Sequence, residues 1–113
     1  MRLGDLIKTQ TQEGKEKHVP VIELSDCPDC GGKVVKITVG KEVAHPNTVE
    51  HHIKWISLFG VKSGLAQHIA TFDLGPTYGQ PIVTAHVNTE GFSELIAVEY
   101  CNIHGLWESS VTL

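Results

Sequence analysis

Tyr100-Cys101-Asn102-Ile103-His104-Gly105-Leu106-Trp107 is a short turn-forming run between two apolar runs, 94–100 and 106–113. Both flanks are rich in Val, Ile, Leu and Ser, and they read as strands, so the stretch predicts strand, turn, strand. The turn sets a thiol and an imidazole three positions apart. From one piece of backbone both can reach a single metal ion.

Outward from this hairpin, the same texture covers most of the chain. Runs at 19–24, 33–39, 52–59, 67–72 and 81–87 are apolar, often alternating, and enriched in Val, Ile and Thr. Gly31-Gly32, Pro46-Asn47, Gly75-Pro76 and the stretch Asn88 to Gly91 punctuate them. About seven short strands in this length match an all-β, immunoglobulin-like antiparallel β-sandwich. Ahead of it, Leu3, Leu6 and Ile7 have the spacing of a short N-terminal helical turn packed on the body. The polar stretch 9–17, with Gly14, reads as a loop. The expected organisation is one domain over 1–113, with an N-terminal segment and active-site loop (1–17) and the sandwich (18–113).

Bulk properties narrow the function. A formal net charge of −4 argues against a nucleic-acid binder that works by neutralising phosphates. No apolar run is long enough for a transmembrane helix. The first residues turn polar and acidic before a secretory apolar region could form, so a cytoplasmic location is expected.

The chain holds 7 histidines in 113 residues. Several fall in two compact blocks, Glu16-Lys17-His18-Val19-Pro20 and His45-Pro46-Asn47-Thr48-Val49-Glu50-His51-His52. Neutral imidazole is a common ligand for iron, zinc and copper. Together with the Cys-Asn-x-His-Gly turn, and in the same order, these blocks resemble the superoxide reductases, the neelaredoxin and desulfoferrodoxin family. The likeness weakens over roughly 60–80 and resumes from Tyr78 to Trp107. The resemblance implies the sandwich fold and a mononuclear non-haem iron (Fe2+/Fe3+) held by His18, His45, His51 and His104 through nitrogen and by Cys101 through sulfur. It further implies reduction of superoxide to hydrogen peroxide, an external donor such as rubredoxin, and a homo-oligomer, tetrameric as in neelaredoxins or dimeric as in desulfoferrodoxins.

The chemistry of that donor set is consistent with the activity. Four neutral imidazoles and one thiolate leave ferrous iron with one net positive charge and one octahedral position free for a small anion. The thiolate pushes electron density toward the metal, and the amides of Ile103 and His104 are placed to moderate it by hydrogen-bonding the sulfur. Two residues are expected to act in catalysis: Lys17 as a steering cation and Glu16, which resembles the family's glutamate, as a carboxylate able to fill the free position. The alternative is a non-catalytic electron-transfer or metal-binding sandwich, with the iron closed off by protein ligands.

The other candidates have plainer readings. His52 follows a ligand on a strand, where neighbours face opposite ways, and is expected to be structural. His68 and His86 lie outside the motifs and read as surface or core residues. Trp55, Phe59, Phe72 and Trp107 read as core aromatics, Trp107 also as a wall of the site. Cys27-Pro28-Asp29-Cys30-Gly31-Gly32 has the form of a metal knuckle without a second pair of cysteines. Three readings are open for it: a zinc or iron shared by Cys27/Cys30 knuckles of two subunits, a redox disulfide, or an idle hairpin tip.

Overall fold

A computed structural model covers residues 1–113 and is all-β. The strands are β1 (Val21–Cys27), β2 (Gly32–Thr38), β3 (Ile53–Lys62), β4 (Leu65–Asp73), β5 (Ile82–Val87), β6 (Glu94–Cys101) and β7 (Gly105–Thr112). They form two antiparallel sheets, a three-stranded one in the order β1-β2-β5 and a four-stranded one in the order β4-β3-β6-β7. Every expected strand is present. No helix is long and apolar enough to cross a membrane.

The two sheets face each other across one core. Val35 and Ile37 of β2, Val83 and Val87 of β5, Ile56 and Leu58 of β3, and Leu95 and Ala97 of β6 are buried in it. Along β6 burial alternates residue by residue, as a strand with one face on a core requires. Cys101 is the last inward position of that series and is fully buried. The sandwich therefore delivers the thiol to one end of its interior.

β3 and β4 run further than expected. Ser63 and Gly64, both at positive φ, close a two-residue turn between paired Lys62 and Leu65. A turn of that hand suits the right-handed twist of the flanking strands, which then extend to its edge.

Trp55 and Phe59 correct the expectation of core aromatics. They are half-buried on the outer face of the four-stranded sheet, where they line an apolar groove with Leu3, Ile7, Ile96, Val98 and Leu106. A register shift between Ile53 and Trp55 sets which residues face inward there. Phe72 does pack against the core, and Trp107 is buried. The N-terminal helical turn is a 3-10 turn at Leu3–Asp5, followed by a second at Gln10–Gln12. Only Ile7 of its three apolar residues is half-buried, while Leu3 and Leu6 stay largely exposed.

Candidate metal centre

Three segments bring the site together at the end of the sandwich where β1 begins and β6 ends. His18 comes just ahead of β1, His45 and His51 from the long β2–β3 connection, and Cys101 and His104 from the tight β6–β7 turn. Gly105, at φ 82°, lets that turn fold back within a few residues. Asn102 ties two of the segments. Its side chain accepts from the His52 amide at 2.8 Å and donates to the Glu50 carbonyl at 2.9 Å. Asn47 fastens the same connection to the loop before β5 by two bonds with the Thr77 backbone, at 3.2 and 3.3 Å. Glu13 fixes the approach to β1, its carboxylate accepting from the Val19 amide at 2.7 Å and the His18 amide at 3.4 Å.

The four imidazoles converge on a single point. Around Glu16 Oε1 lie His18 Nε2 at 2.9 Å, His51 Nε2 at 3.0 Å, His45 Nε2 at 3.1 Å and His104 Nδ1 at 3.2 Å. Cys101 Sγ is 3.7 Å from His45 Nε2 and 3.8 Å from His104 Nδ1. A carboxylate oxygen has lone pairs for about two donors, not four. Accordingly Glu16 Oε1, His18 Nε2 and His51 Nε2 are buried without a properly oriented hydrogen-bond partner. Such orphaned donors and acceptors around one centre are what a coordination shell looks like. The ligand atoms of Glu16, His18, His45, His51 and Cys101 lie within 4.8 Å of one another, so the residues fit a single metal ion.

Local contacts prepare the ligand atoms. His45 Nδ1 lies 2.7 Å from the Pro46 carbonyl, which fixes its proton there and turns the Nε2 lone pair inward. His18 stacks on Trp107, with ring centroids 4.6 Å apart and planes within 10°. Burial lowers the pKa of His18 and of His45, and keeps both imidazoles neutral and ready to coordinate. The Cys101 thiol is pushed up by burial, against the opposing pull of the His104 and Ile103 amides. The His104 amide lies 3.4 Å from the sulfur, as the turn led us to expect. Burial alone would raise the Glu16 carboxyl. The facing imidazoles of His51, His18, His45 and His104 outweigh it and leave that pKa lowered.

One flank of the cluster is open. The side chains of His45 and His18 are 0% and 5% exposed, those of His51 and His104 21% and 40%. The cluster therefore meets solvent at His51 and His104.

The structure thus gathers Glu16 with all five expected ligands. It does not bring the Lys17 ammonium to them. Along this stretch Glu16 and His18 share one side and Lys17 points to the other, where Nζ donates to the Gly14 carbonyl at 3.3 Å and lines a cavity beside Glu13 and Glu42. His52 is structural, its Nδ1 3.0 Å from the Thr48 carbonyl. His68 is exposed and meets Thr71 Oγ1 at 2.7 Å. Cys27 and Cys30 are joined in a disulfide.

Three residues near these sites carry roles that the sequence reading did not assign. Asn102 lay inside a quoted motif without a task, and its bracing function depends on what it faces. Glu99 is fully buried beside the site, its carboxylate unpartnered. His86 is exposed at the surface, as its place outside the motifs led us to expect, and its Nδ1 lies 3.6 Å from Cys27 Sγ. The registers of β1 with β2 and of β2 with β5 together bring those two side by side.

The comparisons agree with this geometry. The family model described as desulfoferrodoxin matches residues 10–110. A superoxide reductase of Pyrococcus abyssi is 41% identical, the alignment covering 98% of each chain. The solved superoxide reductase (neelaredoxin) of Ignicoccus hospitalis superposes with a TM-score of 0.85 at 30% identity, covering 100% of this chain and 98% of that one. The superoxide reductase (1Fe-SOR) of Giardia intestinalis does so with a TM-score of 0.79 at 37% identity, over 88% of this chain and 100% of that one. With a cluster of histidines and one cysteine built on this sandwich, and with likeness along nearly its whole length, the chain belongs to the desulfoferrodoxin family.

Proposed function

We propose that the chain is a superoxide reductase. In this reading His18, His45, His51, His104 and Cys101 hold one non-haem iron, and superoxide, one electron and two protons give hydrogen peroxide. The observation that carries it is the convergence of four imidazole nitrogens and one thiol on a point open to solvent on one flank. Iron, when bound there, supplies the single electron.

The chain's own groups supply the rest. Neutral imidazoles and a single thiolate leave the centre cationic, which favours capture of a small anion. The open flank past His51 and His104 admits it, and Trp107 seals the opposite side by covering His18. Glu16 Oε1 marks the point an ion would occupy. With the ion held there, the Glu16 carboxylate would shift to the open position beside it and yield that position when substrate arrives. Its carboxylate, held ionised by the surrounding imidazoles, then returns to favour release of product. Lys17 is tethered by one long bond to Gly14 and can swing toward the flank, where its charge would draw superoxide in and its Nζ deliver a proton. The open flank favours this reading over a closed, non-catalytic electron-transfer site. A one-electron donor of the rubredoxin kind, a homo-oligomeric assembly and a cytoplasmic setting complete the proposal.

The test begins with iron content and the thiolate-to-ferric absorption band of the purified protein. Pulses of superoxide are then applied to the reduced form. Reoxidation with one peroxide formed per iron supports the proposal, and a reduced centre indifferent to superoxide refutes it. Lys17→Ala is expected to slow the bimolecular step and weaken its salt dependence.

A further inference from the structure

At the other pole of the sandwich, a second group of reactive side chains plays no part in the iron chemistry. β1 starts beside His18 and ends at Cys27, seven residues on, which separates the two sites by about 20 Å. Cys27 and Cys30 bracket a single 3-10 turn, Pro28–Cys30, closed by Gly31 in the left-handed conformation at φ 72°. Their Cα atoms are 5.5 Å apart, and the sulfurs form a disulfide. Gly32 lies so close to the Val87 carbonyl that a Cβ there would clash, and the exposed His86 on β5 sets its Nδ1 3.6 Å from Cys27 Sγ. The ligand atoms of Cys27, Cys30 and His86 lie within 4.8 Å of one another. An open cleft lined by Asp26, Cys27, Pro28, Lys33 and Thr89 runs beside the turn.

We propose that Cys27, Cys30 and His86 form a thiol–disulfide exchange site acting on dithiol partners. Donor number favours this over a metal site. A closed tetrahedral ion needs four ligands and the turn of one chain offers three, whereas exchange needs only two sulfurs and a group to hold the leaving thiolate.

The two sulfurs are not equivalent. Cys27 is 7% exposed and faces the His86 imidazole, while Cys30 is half-buried and lies nearer solvent. Cys30 Sγ lies 3.5 Å from the Cys27 carbonyl, 3.9 Å from that of Lys33 and 4.0 Å from that of Val87. Those acceptors suit a Cys30 thiol and oppose its thiolate. Cys27 is therefore the better leaving group.

An incoming thiolate bonds to Cys30 Sγ as the Cys30–Cys27 bond breaks, and the electron pair departs on Cys27 Sγ, held by a proton on His86 Nδ1. The partner's second thiolate then attacks its own sulfur in the mixed disulfide, and Cys30 leaves and takes up a proton. Overall, one disulfide is reduced by two electrons and one dithiol is oxidised to a disulfide. The partner's two protons end on Cys30 and on the Cys27–His86 pair. The reverse sequence closes the disulfide again.

The experiment uses the full iron-loaded chain. Reduced and oxidised dithiothreitol set the redox poise, and maleimide trapping followed by mass analysis of the peptide around Cys27 and Cys30 reads its state. Reversible opening is expected, slowed about tenfold in His86→Phe and partly recovered in His86→Lys, which restores a cation. With the monothiol glutathione, the trapped mixed disulfide is expected on Cys30. The proposal is overturned by opening equally fast in wild type and both folded variants, or by glutathione trapped on Cys27. Uptake of one zinc per chain by the reduced pair, with exchange lost, would overturn it as well.

Discussion

The indole of Trp107 lies flat on the imidazole of His18, 4.6 Å between ring centroids, while Lys8 Nζ stands 5.2 Å from the centroid of the indole. The indole thus links the N-terminal segment, β7 and the metal centre in one stack. Lys8 also forms a parallel bridge with Trp107 through the backbone, so the segment ahead of the loop is fastened to the same residue.

Trp107→Ala is expected to cost about 3–5 kcal/mol, the usual toll for deleting a buried indole. Because His18 loses its backing, metal affinity should fall roughly tenfold. Trp107→Phe keeps the stack and should retain most of both. Denaturant titration and competition with a chromogenic chelator separate the two effects. An alanine variant that is destabilised but binds metal normally would remove the claim that the stack orients His18.

Asn102 joins the β2–β3 connection to the Cys-x-x-His turn through the His52 amide and the Glu50 carbonyl. Asn102→Ala strands both partners, at about 1–3 kcal/mol. His51 and Cys101 lose their mutual register, and chelator competition should report weaker metal binding. Asn102→Asp keeps the acceptor for His52 but loses the donor for Glu50, and should fall between.

Gly40 sits at φ 83°, and a Cβ placed there would stand 2.5 Å from the His45 backbone nitrogen. Gly40→Ala therefore combines left-handed strain of about 1–2 kcal/mol with a displaced His45. The expected result is a folded protein with lowered melting temperature and reduced iron content. Iron retained at the wild-type level would show that His45 tolerates the shift.

Glu99 sets a pH dependence in the metal-free protein. Burial, reinforced by the negative charge of Glu13, raises its pKa from 4.5 to about 9. The folded state thus keeps a proton that the unfolded chain releases above pH 4.5. Its contribution is fully present below that pH and declines as pH rises toward 9, by up to about 1.4 kcal/mol per unit. His18 and His45, with lowered pKa values, have the opposite sign. They cost stability as pH falls below the ordinary imidazole value of 6.5, so the Glu99 slope stands clear above neutrality. Glu99→Gln should abolish the decline between pH 7 and 8.5, measured by denaturant midpoints after chelation. A parallel decline in both proteins would assign it elsewhere.

Much of this molecule was legible in the order of its residues. Alternating apolar runs broken by glycine and proline specify strands because a strand has period two and a half-buried face, and all seven appeared. The ligand blocks were legible because each lies within a few residues, in loops whose chemistry is local. What stayed hidden depended on pairing. The Ser63-Gly64 turn lengthened β3 and β4, a register shift put Trp55 and Phe59 on the outer face, and the alternation after Gly14 carried Lys17 away from the cluster that Glu16 and His18 enter.

Local periodicity by itself determined the strands of the sandwich, and three short motifs carried the resemblance that named the candidate ligands. Only the tertiary structure decided that four imidazoles from three segments share one centre, that Glu16 Oε1 reaches it, that Asn102 braces it, and that His86 meets Cys27 across the strand register. Those relations join residues as many as 88 positions apart, from Glu16 to His104, and no local pattern encodes the packing that brings them within hydrogen-bonding distance.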